Sequence, residues 1–397
     1  MNNIDKYIQL LIDRCLNIKE SLFISYESCV NTDFVSKIVK YAKSKGITDI
    51  YLCDANSYKK HEILKNETLE EIKQEEIFNC SVWDEYAKKN AAFLMIESEL
   101  PGLMDDVDAK KLALARKIQI TSKPIYRKKQ SINEISWCIC AYPNEIWAKT
   151  IFPNDDNSYK KMLDVVLSMC MCDHDDPIKA WDNYLTKTSE RIVKLNDLKI
   201  QKLHYTNSLG TDLWLELPDK AIWCGACNEK NMLVNMPSYE VFTSPYNTKT
   251  NGIVYASKPL IYNNMEITDF WLKFKDGKVI DYGAKTGKDL LESIINSDET
   301  SSMLGECALV EYHSPISNTG LVFKTTLFDE NASCHLALGA GFPECYDADL
   351  SEEELHNKGV NKSSNHVDFM IGTNDLMIEA FNHQGSIMIM ENGDFVF

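Results

Sequence analysis

The sequence predicts an N-terminal α/β domain with a parallel sheet, followed by a larger, strand-rich α+β domain. Two observations support this prediction. Strand-like and helix-like segments alternate over residues 1–125, whereas short strand-like segments dominate from about residue 199 onwards. A chain of 397 residues is also long enough for two domains, each with its own core. We therefore place the domains at 1–125 and 126–397.

The N-terminal segments follow one another as a βαβ unit. The first residues form an amphipathic helix, because Ile4, Ile8, Leu11 and Cys15 recur at helical spacing. A strand, a helix and a second strand follow, and this order is typical of a parallel sheet. These segments are SLFISYES, DFVSKIVKYAKSKG and DIYLC; AAFLMIES (91–98) and SWCICAYP are further strands, and the basic stretch 116–131 is a linker or connecting helix.

The second half of the chain is predicted to be mainly β. Its strand-like segments are rich in β-branched and aromatic residues, and the last one contains Asn392-Gly393, a typical hairpin turn. The predicted strands are KIQKLHYT, TDLWLEL, GIVYAS, GLVFKTTLF, HVDFMIG and the terminal hairpin IMIMENGDFVF.

Composition excludes some partners and indicates a compartment. A net charge of −17 argues against nucleic acid or an anionic membrane surface as a partner. No apolar run is long enough for a transmembrane helix, and the first residues do not resemble a secretory signal. The thirteen cysteines are scattered, which favours reduced thiols and a cytoplasmic location.

Five residues of the second half form a candidate metal centre. Carboxylate oxygens and imidazole nitrogens are the ligands of hydrolytic sites with one or two divalent metals. The candidates are Glu240, Glu306, His335, His366 and Asp368.

The residue pattern alone leaves other interpretations open for each candidate. His366 and Asp368 lie two apart on a strand and share a face, which suits a metal or an ordinary His–Asp hydrogen bond. His335 is predicted to lie on a short helix opened by DENAS, where a core histidine is also possible. Glu306 near the start of an apolar strand, and Glu240 after a proline turn, are also compatible with solvent-facing residues. No compact motif such as HExxH is present.

Other candidates carry weaker signals. Cys224 and Cys227 form a CxxC without a second pair at zinc-ribbon spacing, and MCMCDHDD (169–176) is more simply a helix end with an acidic turn. A thiol enzyme using Cys334 beside His335 is disfavoured, since adjacent helical residues do not face each other. No serine lies in a nucleophile elbow.

Four long motifs resemble the family of aminopeptidase T, aminopeptidase S and PepS. They occur in the family's order and at its approximate spacing, and weaker similarity covers nearly the whole chain. The motifs are NMPSYEVFTSP, LGECALVEYHSPISNTGLVF, TLFDENASCHLALG and NHVDFMIG.

The resemblance implies a metal-dependent aminopeptidase with an N-terminal α/β domain and a C-terminal catalytic domain. It also implies a homodimer with an enclosed active site. The family's metal ligands fall on the five candidates named above, so the resemblance favours the metal interpretation over the alternatives.

One position departs from the family pattern. The family has a tyrosine seven residues after the first ligand histidine, where this chain has Phe342. A phenyl ring cannot bind a metal or donate a hydrogen bond. Tyr346 is the nearest substitute, although Pro343 intervenes. The alternative function is therefore a weakened or inactive relative that acts as a binding or scaffold protein.

The expected reaction is hydrolysis of the N-terminal residue from short peptides. Two divalent ions, of zinc, cobalt or manganese, would lower the pKa of the attacking water. Glu306, with Glu240 as the second choice, would accept the water's proton and pass it to the leaving amine.

Overall fold

The computed structural model describes residues 1–228, 231–262 and 265–397, except for the side chains at positions 29–31 and 109. Its α-helices are α1 (Asn3–Leu10), α2 (Ser28–Ser44), α3 (Ser57–Asn66), α4 (Leu69–Lys88), α5 (Ala109–Thr121), α6 (Pro124–Ser131), α7 (Glu145–Ile151), α8 (Ser158–Met169), α9 (Pro177–Asp197), α10 (Lys288–Ile295), α11 (Thr326–Glu330) and α12 (Glu352–Asn357). A π-helical turn, Leu11–Cys15, continues α1, and two 3₁₀ turns span Ser317–Thr319 and Pro343–Cys345.

Twenty strands are described. They are β1 (Ser21–Tyr26), β2 (Asp49–Asp54), β3 (Ala92–Glu97), β4 (Trp137–Ala141), β5 (Lys202–Thr206), β6 (Asp212–Glu216), β7 (Cys224–Gly225), β8 (Asn235–Met236), β9 (Val241–Thr243), β10 (Thr250–Tyr255), β11 (Leu260–Tyr262), β12 (Met265–Ile267), β13 (Trp271–Lys275), β14 (Lys278–Gly283), β15 (Leu304–Leu309), β16 (His335–Gly339), β17 (His366–Met370), β18 (Met377–Asn382), β19 (Gly385–Glu391) and β20 (Asp394–Phe395).

The chain forms two compact units. The first comprises 1–182 and 227–237, and the second comprises 183–226 and 238–397. The boundary predicted between residues 125 and 126 lies inside the first unit; as a boundary between independently folding domains it stays a prediction.

The first unit contains a parallel sheet, as the sequence predicts. Its strand order is β2-β1-β3-β4-β8, and β1 pairs in parallel with both β2 and β3. Aromatic rings pack one side of this sheet, where Phe23 and Phe93 lie 5.0 Å apart. Most of the basic stretch 116–131 is helical and belongs to the end of α5 and to α6.

The second unit is strand-rich and antiparallel. An eight-stranded sheet has the order β14-β13-β10-β6-β5-β18-β19-β20, and a five-stranded sheet has the order β17-β16-β15-β9-β7. One hydrophobic cluster joins them: Leu203, Leu213 and Ile378 of the larger sheet pack in the same core as Leu336 and Phe369 of the smaller. The smaller sheet therefore has one face buried against the larger one.

Two predictions of local structure are wrong, and both concern the segment before β16. The sequence predicts a strand over GLVFKTTLF, but its last residues begin α11, and the amide of Phe323 donates to Asp329 Oδ1 (2.8 Å) instead of to a strand. The sequence also predicts a helix at His335, but α11 ends at Glu330 and His335 begins β16. Strands on both sides of β16 satisfy its backbone groups, and this tertiary pairing outweighs the local helix pattern.

Candidate metal centre

Strand register brings four of the predicted ligands to one face of the five-stranded sheet. Ala337 in β16 pairs with Glu306 in β15 and with Asp368 in β17, so these three side chains point to the same side. His335 and His366 each lie two residues before a member of this row, and strand periodicity gives them the same direction. Residues far apart in sequence thus converge on one surface.

Glu240 joins this face from the neighbouring strand. It lies immediately before β9, two residues from Phe242, and Phe242 pairs with Ala308 beside His335. Glu240 Oε2 lies 3.2 Å from His335 Nε2, and Ser238 Oγ donates to Glu240 Oε1 (3.4 Å). Glu240, which the sequence left open as a solvent-facing residue, is therefore a direct neighbour of the buried His335.

The opposite face of the same strands is apolar. Side chains that alternate with the candidate ligands belong to the hydrophobic core shared with the larger sheet, namely Cys307, Leu309, Leu336, Leu338, Val367 and Phe369. This core fixes the strand register, because a shift by one residue would turn every candidate ligand into it.

Both histidines are oriented by backbone carbonyls. Nδ1 of His335 donates to the carbonyl of Ser333 (3.1 Å), and Nδ1 of His366 donates to that of Ala340 (2.8 Å). The Nε2 atoms consequently point towards the carboxylates. Metal-binding histidines are commonly held in this way, with the second ring nitrogen bonded to a carbonyl.

The five side chains form two groups that share Glu306. One group consists of Glu240, Glu306 and His335, and the other of Glu306, His366 and Asp368; within each group the ligand atoms lie within 4.8 Å of one another. His366 Nε2 is 3.3 Å from Glu306 Oε2 and 3.2 Å from Asp368 Oδ1. Within the described ranges, these are the groups of His, Cys, Asp and Glu arranged to hold a metal.

The carboxylates make this face strongly attractive to positive charge. Burial lowers the pKa of His335, but its hydrogen bond with Glu240 and the charge of Glu306 outweigh burial and raise the pKa to about 10. The charge of Asp368 likewise outweighs burial at His366, whose pKa lies well above its usual value. Burial raises the pKa of Glu306 to about 7, against the hydrogen bond from His366. A divalent cation bound here would displace the imidazole protons and supply the positive charge that offsets the buried carboxylates.

A second observation also indicates that these residues suit a divalent metal ion. Asp368 Oδ1 is buried and has no well-aligned hydrogen bond, although His366 Nε2 lies 3.2 Å away, and such an oxygen costs free energy unless another partner satisfies it. Carboxylate and imidazole donors together suit zinc, cobalt or manganese.

Sequence reasoning missed Glu330. This last residue of α11 lies beside the cluster: burial, followed by the charges of Asp368 and Glu240, raises the pKa of its carboxyl group well above the usual value. It lies within the motif TLFDENASCHLALG, but there the sequence suggested only a helix start, and nothing in the spacing indicates a carboxylate beside the metal ligands.

Asn331 was also missed, and it connects two parts of the site. Its Oδ1 accepts the amide of Tyr239 (2.7 Å), next to Glu240, while its Nδ2 donates to Glu330 Oε1 (3.3 Å) and to the carbonyl of Leu327 (3.0 Å). Asn331 is fully buried. A buried asparagine before a strand has no sequence signature of this role.

Phe342 lies at the site, as its position after His335 predicts. Its ring centroid is 5.0 Å from that of His366, in an edge-to-face arrangement. Tyr346 does not replace the missing hydroxyl group, because its own hydroxyl donates to Asp219 Oδ1 (3.1 Å).

The weaker cysteine candidates have other contacts. Cys334 alternates with His335 on the strand, its Sγ lies 3.2 Å from the carbonyl of Val310, and burial raises the pKa of its thiol to about 12. Cys224 Sγ lies 3.7 Å from the carbonyl of Glu344. Because Cys334 and His335 point to opposite faces, they do not form a catalytic pair.

A cavity of about 840 Å³ lies elsewhere in the second unit. Its lining includes Trp223, Tyr246, Lys249 and Lys358, and none of the five candidate ligands. It is therefore not the candidate metal centre.

Comparison with known proteins identifies similar chains of nearly the same length. A model of the family described as thermophilic metalloprotease (M29) matches residues 1–395. Aminopeptidase AmpS of Bacillus subtilis is 33% identical over 407 residues, which cover 99% of this chain and 98% of that protein. Aminopeptidase 2 of Geobacillus stearothermophilus is 34% identical over 408 residues, with coverage of 99% and 98%. The structure of AmpT from Thermus thermophilus shares the fold, with a TM-score of 0.90, 24% identity and coverage of 100% of this chain and 99% of that one.

Proposed function

The chain belongs to the M29 family of thermophilic metalloproteases, and from this membership we propose that it is a metallo-aminopeptidase that removes N-terminal residues from short peptides. The observation that carries the proposal is the pair of three-residue groups joined by Glu306 on one face of the sheet. Two divalent ions of zinc, cobalt or manganese are the proposed cofactors. When bound, they would polarise the scissile carbonyl and activate water.

We assign the five candidate ligands to two groups, one for each ion. Glu306 is the proposed shared ligand, because it belongs to both groups. Glu240 and His335 complete one group, and His366 and Asp368 complete the other. The carboxylates also attract the positively charged α-amino group of a peptide, which favours an exopeptidase over an endopeptidase.

A carboxylate of this cluster is the proposed carrier of the water's proton. Glu306 is our first assignment and Glu240 the second, because carboxylates beside an activated water can accept its proton. Glu330 is a third candidate, because it borders the cluster without belonging to either group. A residue that acts only as the base differs from a ligand in one measurable respect: its loss leaves metal bound, whereas loss of a ligand, including one that also serves as base, removes metal.

The test uses metal-stripped protein titrated with zinc, cobalt or manganese. Release of N-terminal residues from aminoacyl-anilides and dipeptides is measured for the wild type, Glu306→Gln, Glu330→Gln and the control Glu353→Gln, an exposed residue of α12. We expect metal-dependent turnover in the wild type and control. Glu306→Gln should abolish turnover and release metal, whereas Glu330→Gln should retain metal if it is the base. Failure to bind any of the three metals would refute the site.

Phe342 supports one alternative, an inactive relative that binds peptides without cleaving them. Its ring lies against His366 and offers no hydroxyl group to a transition state. Loss of one such donor can cost about a hundredfold or more in rate. Tight metal binding without turnover of any substrate would favour this alternative. Restoration of turnover by Phe342→Tyr would identify the missing hydroxyl as the cause.

The remaining properties stay predictions. They are a cytoplasmic location, a homodimer, and the absence of nucleic-acid and membrane partners. No described helix combines the length and apolar content needed to cross a bilayer.

A further inference from the structure

Two half-buried phenylalanines lie on the ligand-bearing face of the five-stranded sheet. Phe242 pairs across the strands with Ala308, which pairs in turn with His335. Phe342 reaches the same face from the segment after β16. Ring centroids of Phe242 and Phe342 are 5.0 Å apart at 60°, and those of Phe342 and His366 are also 5.0 Å apart at 60°. The two rings thus form a continuous apolar surface that ends at a candidate ligand.

The backbone holds this surface in place. The amide of Phe342 donates to the buried hydroxyl of Ser244 (2.8 Å), immediately after β9. The preceding Gly341 allows this approach, because a Cβ there would lie 3.0 Å from Ser244 Oγ and 2.8 Å from Val360. Phe242 is itself a strand residue. Neither ring depends on a long loop for its position.

The two rings differ in chemistry from the candidate ligands on the same face. Those ligands are carboxylates and imidazoles, and the negative charge of the carboxylates repels acidic side chains of a substrate. Ligand pockets are lined mainly by hydrophobic and aromatic side chains, around a few polar groups that fix the orientation of the ligand. The N-terminal side chain of a bound peptide lies next to the scissile carbonyl, so it must lie near the ligands.

We infer that Phe242 and Phe342 form the wall that receives the side chain of the substrate's N-terminal residue, and that this wall selects large apolar residues. The inference rests on the proposed aminopeptidase activity and adds the substrate class. Leucyl and phenylalanyl peptides are the expected substrates. Alanyl, glycyl and glutamyl peptides are poor ones, because small side chains leave the wall uncovered and acidic ones meet like charges.

The test compares kcat/KM for leucyl- and alanyl-anilides in metal-loaded protein. A preference of at least about tenfold for leucine is expected in the wild type, because apolar pockets discriminate by about tenfold or more for one missing methylene and alanine lacks three of leucine's carbon atoms. Phe342→Ala and Phe242→Ala should reduce this ratio to about threefold or less, mainly through KM. Phe381→Ala, which removes a half-buried ring packed on Trp214 away from the site, should leave the ratio unchanged.

Binding provides a second readout that does not require turnover. Dissociation constants of L-leucinol and L-alaninol, amino alcohols that lack a scissile amide bond, are measured by calorimetry on the same metal-loaded proteins. The same preference is expected, and it should be lost in both alanine variants. Phe342→Tyr keeps the ring and should keep the preference; Phe342→Leu replaces the alanine variant if that variant does not fold.

The outcomes separate the two proposals. Absence of turnover with all substrates, in protein that binds metal, refutes the proposed function, and the preference between the two amino alcohols still decides the inference. Equal use of leucyl and alanyl substrates, a preference for charged residues, or an unchanged ratio in both alanine variants refutes the inference while leaving the aminopeptidase intact.

Discussion

Substitution of Ala337 by leucine tests whether the space above the central strand holds the cations. Ala337 is fully buried and pairs with both Glu306 and Asp368. The backbones of these two partners are two strand spacings apart, or roughly 9.5 Å. Their carboxylates nevertheless come within 4.8 Å of a common histidine nitrogen, so they lean towards each other above the alanine methyl.

An isobutyl group at this position would occupy the space between the two carboxylates. We expect the metal affinity of Ala337→Leu to fall at least about a hundredfold, more than is typical for the loss of an outer hydrogen bond to a ligand. Overpacking should also lower the free energy of unfolding by about 1–3 kcal/mol. Ala380→Leu is the matched control, because Ala380 is equally buried but lies on β18 of the larger sheet.

Calorimetric titration of metal-stripped protein with zinc measures the affinity, and urea unfolding of the same protein measures stability. The control should lose similar stability and retain its affinity for zinc. If Ala337→Leu bound zinc with the stoichiometry and affinity of the wild type, the cations would not lie over this face and the reasoning from strand register would be wrong.

Three further predictions concern residues around the site. Gly339→Ala should destabilise the protein by about 2 kcal/mol or more in chemical denaturation, because φ is +106° and a Cβ would lie 2.1 Å from the carbonyl oxygen of Asn365; an unchanged midpoint would contradict this. Asn331→Ala should lower zinc affinity about 10- to 100-fold by releasing Glu330 and the segment before β9, and wild-type affinity in a folded variant would show that this link is dispensable. At Asp298 burial raises the pKa, but hydrogen bonds from two serines and backbone amides outweigh burial and lower it to about 2. The resulting stability, on the order of 1–2 kcal/mol, is therefore present above about pH 4 and lost as the pH falls towards 2. Asp298→Asn should reduce this acid dependence of the unfolding free energy, and identical pH profiles would refute the assignment.

The sequence alone was sufficient to predict local structure where the local pattern and the tertiary environment favour the same conformation. Alternating residues place His366 and Asp368 on one face of a strand whatever its partners are. The βαβ unit of β1, α2 and β2 follows from its periodicity, and Asn392-Gly393 specifies the terminal hairpin turn through its backbone preference.

The short segment around His335 shows where local pattern fails. Its apolar residues do not alternate with polar ones, so the pattern fits a buried helix and a central strand equally well. These residues are Ala332, Cys334, Leu336, Ala337 and Leu338. Only the pairing with β15 and β17 makes this segment a strand, and that pairing involves residues about thirty positions away on each side.

The convergence of the site was likewise decided by tertiary structure. Residue types and motifs identified Glu240, Glu306, His335, His366 and Asp368 as candidates. Only the tertiary structure places them on one surface and shares Glu306 between two groups, and the end of α11 brings Glu330 beside them. The physical reason is the range of the interactions. Side-chain direction along one strand is set by bonds between neighbouring residues, whereas the alignment of separate strands is set by a hydrophobic core on their opposite face, which forms only when the whole unit folds.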